Sequence, residues 1–103
     1  MGVNFVDQYS LLHLATGIIA YFFGLKIHNW FFLHLSFEIA ENSLLGMKII
    51  NTYFKHIWPG GKYAKDTFVN SILGDNFFAI LGWVLAYVFD NYGSQYGLYQ
   101  KHI

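Results

Sequence analysis

Residues 30–50 read WFFLHLSFEIAENSLLGMKII. This apolar stretch is long enough to span a bilayer, and it also contains two carboxylates, so it is the most informative part of the chain for the fold class. About 20 mainly apolar residues are needed to cross the hydrocarbon core of a membrane. A charged side chain at that depth costs about 2.5–3.5 kcal/mol on insertion scales, so it survives where neighbouring helices shield it. The stretch therefore predicts a membrane helix whose face with Glu38 and Glu41 points into a helical bundle.

Two further apolar segments flank this stretch at similar length. Residues 11–27 read LLHLATGIIAYFFGLKI, and residues 70–89 read NSILGDNFFAILGWVLAYVF. Backbone groups in lipid must be hydrogen-bonded within the segment, which favours helices. The chain is therefore predicted to be one all-α, polytopic membrane domain over 1–103, with three transmembrane helices at about residues 10–27, 30–50 and 67–90. The connection 51–65 carries lysines among aromatic residues and is predicted to lie at the membrane interface.

The composition supports a lipid environment and excludes several classes of protein. Hydrophobic residues make up 55% of the chain and charged residues 12%, about half the charge of a soluble domain. The lipid bilayer is therefore the expected partner. The net charge is zero and all six basic residues are lysine, which argues against a nucleic-acid partner. The lack of cysteine excludes thiolate metal sites and cysteine nucleophiles.

The placement of lysines predicts an orientation in the membrane. Lys55, Lys62 and Lys65 fall on the same side of the predicted bundle as the N-terminus, whereas Lys26 and Lys101 fall on the other side. Loops on the cytoplasmic side are enriched in basic residues. We therefore expect a cytoplasmic N-terminus in a multi-pass protein.

The second segment carries its polar residues on one helical face. His34 and Glu38 are one turn apart, and Glu41 and Asn42 follow on the same side. His34 and Glu38 are thus close enough to form a structural hydrogen-bonded pair or to share a metal ion. Glu38 and Glu41 are close enough to share a proton, so they are the candidates for a catalytic acid and base.

The other two segments add polar residues that could meet this face. Asp66, Asn70, Ser71 and Asp75 form a polar arc on the first half of the third helix, and His13 lies in the first segment. Asp66 could instead be only the N-cap of its helix, and His13 only a satisfied interior histidine.

The sequence is also compatible with a metal-binding site. The carboxylates Glu38, Glu41 and Asp75 could hold a divalent cation, and a set of oxygen ligands favours Mg²⁺, Mn²⁺ or Ca²⁺ over zinc.

Two motifs resemble those of a known family. The block 37–43, FEIAENS, and the block 66–75, DTFVNSILGD, resemble the bacterial DUF2585 (UPF0314) membrane-protein family, and more distantly the VanZ-like proteins. Ser10 stands where the family has a second histidine, and one more residue precedes Asp75 here than in the family. The resemblance implies a shared polar site and a family without a known activity. The residues it assigns to that site are His13, Glu38, Glu41, Asn42, Asp66, Asn70, Ser71 and Asp75.

Three functions fit the sequence. The first is a structural or assembly component of a membrane, whose polar network fixes helix register and whose partners are further copies of itself or other membrane proteins. The second is an intramembrane enzyme acting on a lipid or lipid-linked headgroup, with Glu38 and Glu41 as acid and base. The third is a cation or proton site for binding or transport. The substrate or ligand stays open.

Overall fold

A computed structural model describes residues 4–59 and 67–102, and every regular element in these ranges is helical. The all-α prediction is therefore confirmed. The elements are α1 (Ser10–Phe22), α2 (Ile27–Glu41), α3 (Leu44–Ile49), the π-helical segment π1 (Ile50–Phe54), the π-helical segment π2 (Val69–Asp75) and α4 (Asn76–Gln95).

The first helix ends earlier than predicted, at Phe22 instead of residue 27. Gly24 adopts a positive φ of 86°, which a residue with a side chain rarely does. Its N–H donates to the carbonyl of Tyr21, and the N–H of Leu25 donates to that of Ala20. This pair of bonds is a Schellman motif, which satisfies the last carbonyls of a helix and stops it.

The second predicted helix, 30–50, is two helices. Asn42 donates its side-chain amide to the carbonyl of Glu38, and Ser43 donates its hydroxyl to that of Ala40. Ser43 also caps α3 by accepting from the N–H of Gly46. Short polar side chains that bond to nearby backbone compete with helix continuation, so the chain breaks here.

The connection predicted at the interface is partly helical. Residues 51–54 continue α3 as π1, and its aromatic residues Tyr53 and Phe54 are exposed. Residues 60–66 lie outside the described ranges, and so do Lys62 and Lys65, on which the interfacial prediction partly rests.

The third predicted helix is longer than expected, because π2 and α4 run on without a break from Val69 to Gln95. These 27 residues form the one helix in the described ranges that is long and apolar enough to cross a membrane, at about 40 Å. In contrast, the 13 residues of α1 span about 20 Å, less than the roughly 30 Å of a bilayer core. Three membrane spans are therefore not confirmed.

Both shorter helices pack on α4. A methyl group added at Gly17 of α1 would collide with the backbone of Ala79, and one added at Gly82 of α4 would collide with the carbonyl of Leu14. Small residues at these positions allow the two backbones to approach closely. The contacts of Gly17 with Ala79 and of Tyr21 with Asp90 show that α1 runs parallel to α4.

The second helix runs in the opposite direction. Trp30, near its start, donates its indole N–H to the carbonyl of Ala79, whereas His34, one turn on, contacts Asn76. Contacts between α1 and α2 are few, and a groove lies between the two helices.

Burial in this bundle is the reverse of that in a soluble protein. Among the described residues the interior holds mainly polar side chains, while large apolar side chains cover the outside. Soluble proteins rarely expose large contiguous apolar patches. The buried polar residues are Ser10, His34, Glu38, Glu41, Asn70, Ser71, Asp75, Asn76 and Asp90.

Candidate metal centre

Polar side chains from α1, α2 and the junction of π2 with α4 meet in the interior. His13 lies one turn into α1. His34 and Glu38 lie one turn apart on α2, and Glu38 is wholly buried. Asp75 and Asn76 follow each other where π2 passes into α4. The structure therefore brings His13, His34, Glu38 and Asp75, all candidates from the sequence, into one place.

The two histidines and Glu38 converge through three atoms. His13 Nδ1 lies 3.0 Å from His34 Nε2 and 3.5 Å from Glu38 Oε1. His34 Nε2 lies 3.7 Å from the same oxygen. A circle through three points with these separations has a radius of about 2.0 Å, the length of zinc–nitrogen and zinc–oxygen bonds in proteins. An ion at its centre would reach all three donors without movement of the side chains.

The side chain of Asn76 fixes the protonation of His34. The Asn76 amide nitrogen donates to the carbonyl of Ile72 over 2.9 Å, which turns its oxygen toward the histidine. This oxygen lies 2.8 Å from His34 Nδ1 and can only accept. His34 Nδ1 therefore carries a hydrogen, and Nε2 of the neutral ring presents its lone pair to His13 and Glu38.

The carboxylate of Asp75 lies on the far side of the His13 ring. Asp75 Oδ2 lies 3.3 Å from His13 Nε2, and the Asp75 side chain is almost entirely buried. On the near side, His13 Nδ1 forms a hydrogen bond with His34 Nε2, so a neutral His13 with its hydrogen on Nδ1 is the donor. Metal-binding histidines commonly have their second nitrogen bonded to such an oxygen, which sets the tautomer and the orientation of the ring.

The two nitrogens and the oxygen of this triangle therefore lie 3.0–3.7 Å apart. A proton on His13 Nδ1 can bridge to His34 Nε2, and a metal ion can satisfy all three donors at once.

The chemistry of the donors differs from the prediction. The sequence left open a divalent cation such as Mg²⁺, Mn²⁺ or Ca²⁺ on the carboxylates of Glu38, Glu41 and Asp75, and also a metal ion shared by His34 and Glu38. The structure brings two imidazole nitrogens and one carboxylate together instead, and His13, His34 and Glu38 could hold a metal ion. Imidazole ligands suit zinc and neighbouring transition metals, whereas Mg²⁺ and Ca²⁺ take oxygen. Glu38 is common to both sets, and Asp75 lies beside a ligand histidine.

A pocket of about 450 Å³ opens beside this centre, a size within the range of small-molecule sites. His13 and His34 form part of its wall, together with Glu41 and Asn70. Glu41 was predicted to act in a pair with Glu38. The structure places Glu41, which is buried, along the pocket wall and Glu38 against the two histidines.

The remaining predicted residues have different positions. Asn70 donates to the carboxylate of Asp7 over 2.9 Å and so ties the start of the chain to π2. Ser71 is buried and donates to the carbonyl of Thr67, and Asn42 bonds at the end of α2. Asp66 lies outside the described residues.

Sequence reasoning missed Asn76 and Asp7. Asn76 follows Asp75 directly within an apolar segment, and a buried amide there was a signal that the polar arc extends by one residue. Asp7 lies in the pocket wall, and nothing in its sequence neighbourhood distinguishes it from a surface residue.

A search of protein-family models, of curated proteins and of solved structures returned no match to this chain. The resemblance drawn from the two motifs therefore stays a prediction.

Proposed function

We propose that this chain is a small integral membrane protein whose His13–His34–Glu38 centre binds a divalent transition-metal ion, with zinc as the first candidate. The observation that carries the proposal is the triangle of three electron-pair donors with a radius of about 2.0 Å. Two histidines and one glutamate are also the donor set of several catalytic zinc sites.

The reversed burial supports the membrane part of the proposal. Large exposed side chains such as Phe23, Phe32 and Phe89 need an apolar environment, which lipid supplies. The helix Val69–Gln95 has the length and composition of a span. We propose that α1 and α2 lie beside it in the bilayer, in a multi-pass arrangement with a cytoplasmic N-terminus.

The centre has the character of an open site. Within the described residues, His13, His34 and Glu38 would supply three protein ligands to an ion, one fewer than the four of a tetrahedral zinc site, so a fourth position would be left for a further ligand. Catalytic zinc sites keep such a position for water or substrate, whereas structural sites close it with a fourth protein ligand. His13 and His34 border the pocket, so a ligand there can approach the ion. We infer a metal-dependent enzyme in which Glu41, on the same wall, is the candidate general base.

The structural or assembly role predicted first from the sequence requires a network in which donors match acceptors. The hydrogen bond between His13 and His34 would meet that requirement for the two rings, but it does not account for the carboxylate oxygen of Glu38 beside both of them. A site for a proton alone needs only the contact of His13 with His34, and it does not explain why Glu38 Oε1 lies at a nearly equal distance from both rings.

Metal binding by the purified protein tests the proposal. Protein in detergent is stripped with a chelator, loaded with Zn²⁺ or Co²⁺ and analysed for bound metal and for the visible absorption of Co²⁺. We expect one ion per chain, and a loss of affinity above about 100-fold in His34→Ala and Glu38→Gln, because each removes a direct ligand.

The matched control is His28→Ala, which removes an exposed histidine from the same helix. This variant should bind metal as the unmodified chain does. If the chain takes up no ion, or if His34→Ala and His28→Ala bind equally well, the metal centre is wrong. A gain of stability in Glu38→Gln without metal binding would then favour the structural role.

A further inference from the structure

The groove between α1 and α2 extends beyond the candidate metal centre. The pocket beside the centre reaches Thr16 and Trp30, and a second pocket of about 330 Å³ begins at these same two residues. The second pocket continues along Ile19 of α1 and Phe23, just after its end, toward Leu25. From Thr16 to Phe23 the chain advances about 10 Å, so the two pockets form one elongated groove between α1 and α2.

The polarity of this groove changes along its length. Asp7, Glu41 and Asn70 line one end, and the two ligand histidines lie next to them. Beyond the histidines the walls are almost entirely apolar. A polar end, a candidate metal centre and an apolar channel thus follow one another in a line, which is the order of parts in a lipid with a headgroup, a polar junction and a hydrocarbon tail.

We propose that the groove binds a neutral lipid, with its hydrocarbon tail along Thr16, Trp30 and Phe23 and a carbonyl oxygen at the metal centre. This inference rests on the proposed function and adds the substrate class to it. Leu12 and Leu33 provide apolar contacts at the level of the histidines. Burial of the tail against these walls removes apolar surface from water, so a longer tail should bind more tightly.

The charges at the polar end select the headgroup. Asp7 and Glu41 line that end, and Asp75 lies beside His13. Like charges in a partly buried site raise the free energy of binding, so a phosphate monoester is disfavoured there. A neutral ester or amide lipid, whose carbonyl oxygen can ligate the metal, fits the groove instead.

Two hydroxamate probes that differ in the length of their hydrocarbon chain test the inference. Hydroxamates ligate zinc and cobalt through two oxygens, so acetohydroxamate reports the metal centre alone and dodecanohydroxamate reports the centre together with the groove. Binding is followed by the change in visible absorption of the Co²⁺-loaded protein in detergent. We expect the long probe to bind at least tenfold more tightly than the short one.

Two neighbouring substitutions separate the groove from partition of the long probe into micelles. Thr16→Phe fills the junction of the two pockets, whereas Ala15→Phe adds the same ring on an exposed position outside both. The preference for the long probe should fall to below threefold in Thr16→Phe and stay at tenfold or more in Ala15→Phe, with acetohydroxamate binding equally in both.

The possible results have distinct meanings. An equal preference for the long probe in both variants overturns the lipid groove while leaving the metal centre intact, because micelle partition alone then explains the preference. Equal binding of both probes by the unmodified chain overturns the groove as well. A chain that gives no Co²⁺ absorption at all overturns the proposed function, and the inference that rests on it falls too.

Discussion

His13 Nδ1 lies 3.0 Å from His34 Nε2, although 21 residues separate the two histidines and they lie on different helices. The oxygen of Asn76 keeps the hydrogen of His34 on Nδ1, so His34 Nε2 accepts the hydrogen bond from His13 Nδ1. The same pair of atoms, with Glu38, therefore accounts for a protonated state and for a metal-bound state of one site.

Metal binding should release a proton and weaken at lower pH. The hydrogen bond between His13 Nδ1 and His34 Nε2 holds one proton between the rings, and we expect an ion bound to both nitrogens to displace it. Where one proton is displaced, the apparent affinity falls about tenfold for each pH unit of acidification. Calorimetric titration of Zn²⁺ in buffers of different ionisation enthalpy measures the number of protons released, and His28→Ala should release the same number. Zinc uptake without proton release would show that the two rings do not share a proton.

Replacement of Asn76 should weaken metal binding without removing a ligand. Asn76→Leu abolishes the acceptor that holds the hydrogen on His34 Nδ1, and loss of such a partner typically costs 10- to 100-fold in affinity, so we expect about that loss for Zn²⁺. Asn91→Leu is the matched control, because Asn91 also donates its amide to the carbonyl four residues back, that of Tyr87, at the far end of α4. Competition with a fluorescent zinc chelator measures both variants. Equal affinities would mean that Asn76 does not orient the histidine.

The polar face of the second segment could be predicted from the sequence because it depends on helical periodicity alone. His34, Glu38 and Glu41 are all buried, as predicted. Where the helices end depends instead on local hydrogen bonds, which periodicity does not show. Gly24 ends α1 with a left-handed turn, and Ser43 starts a new helix.

The meeting of the two histidines could not be predicted, because it depends on how the helices pack. Gly17 and Gly82 set how closely α1 approaches α4, and this approach decides which residue of α1 faces His34. Asp75 was predicted from an ordinary helical spacing, whereas the structure has a π-helix from Val69 to Asp75. A π-helical turn holds one more residue than an α-helical turn and often occurs at functional sites. The extra residue before Asp75, relative to the resembling motif, fits such a turn.

A second polar cluster should contribute to stability and leave metal binding unchanged. Tyr21 donates to the buried carboxylate of Asp90, which also accepts from the backbone N–H of His102. Tyr21→Phe removes one donor from a buried charged acceptor, so we expect a loss of about 1–3 kcal/mol in the free energy of unfolding. Tyr92→Phe, at an exposed position of the same bundle, should change it by less than about 0.5 kcal/mol. Denaturant unfolding in detergent gives these values, and zinc titration should show the same affinity in both variants. A weaker zinc affinity in Tyr21→Phe would connect the two clusters.

The two ends of the chain should lie on opposite sides of the membrane. α1 runs parallel to α4 and α2 runs antiparallel to both, so Gln8 and Gln95 are at opposite ends of the bundle. The chain has no cysteine, and Gln8→Cys and Gln95→Cys each introduce a single exposed thiol. With a cytoplasmic N-terminus, an impermeant maleimide added to intact cells should label Gln95→Cys, and it should label Gln8→Cys only after the membrane is permeabilised. Labelling of both thiols in intact cells would show that the helices lie on one surface of the bilayer, because a spanning bundle must hide one of them.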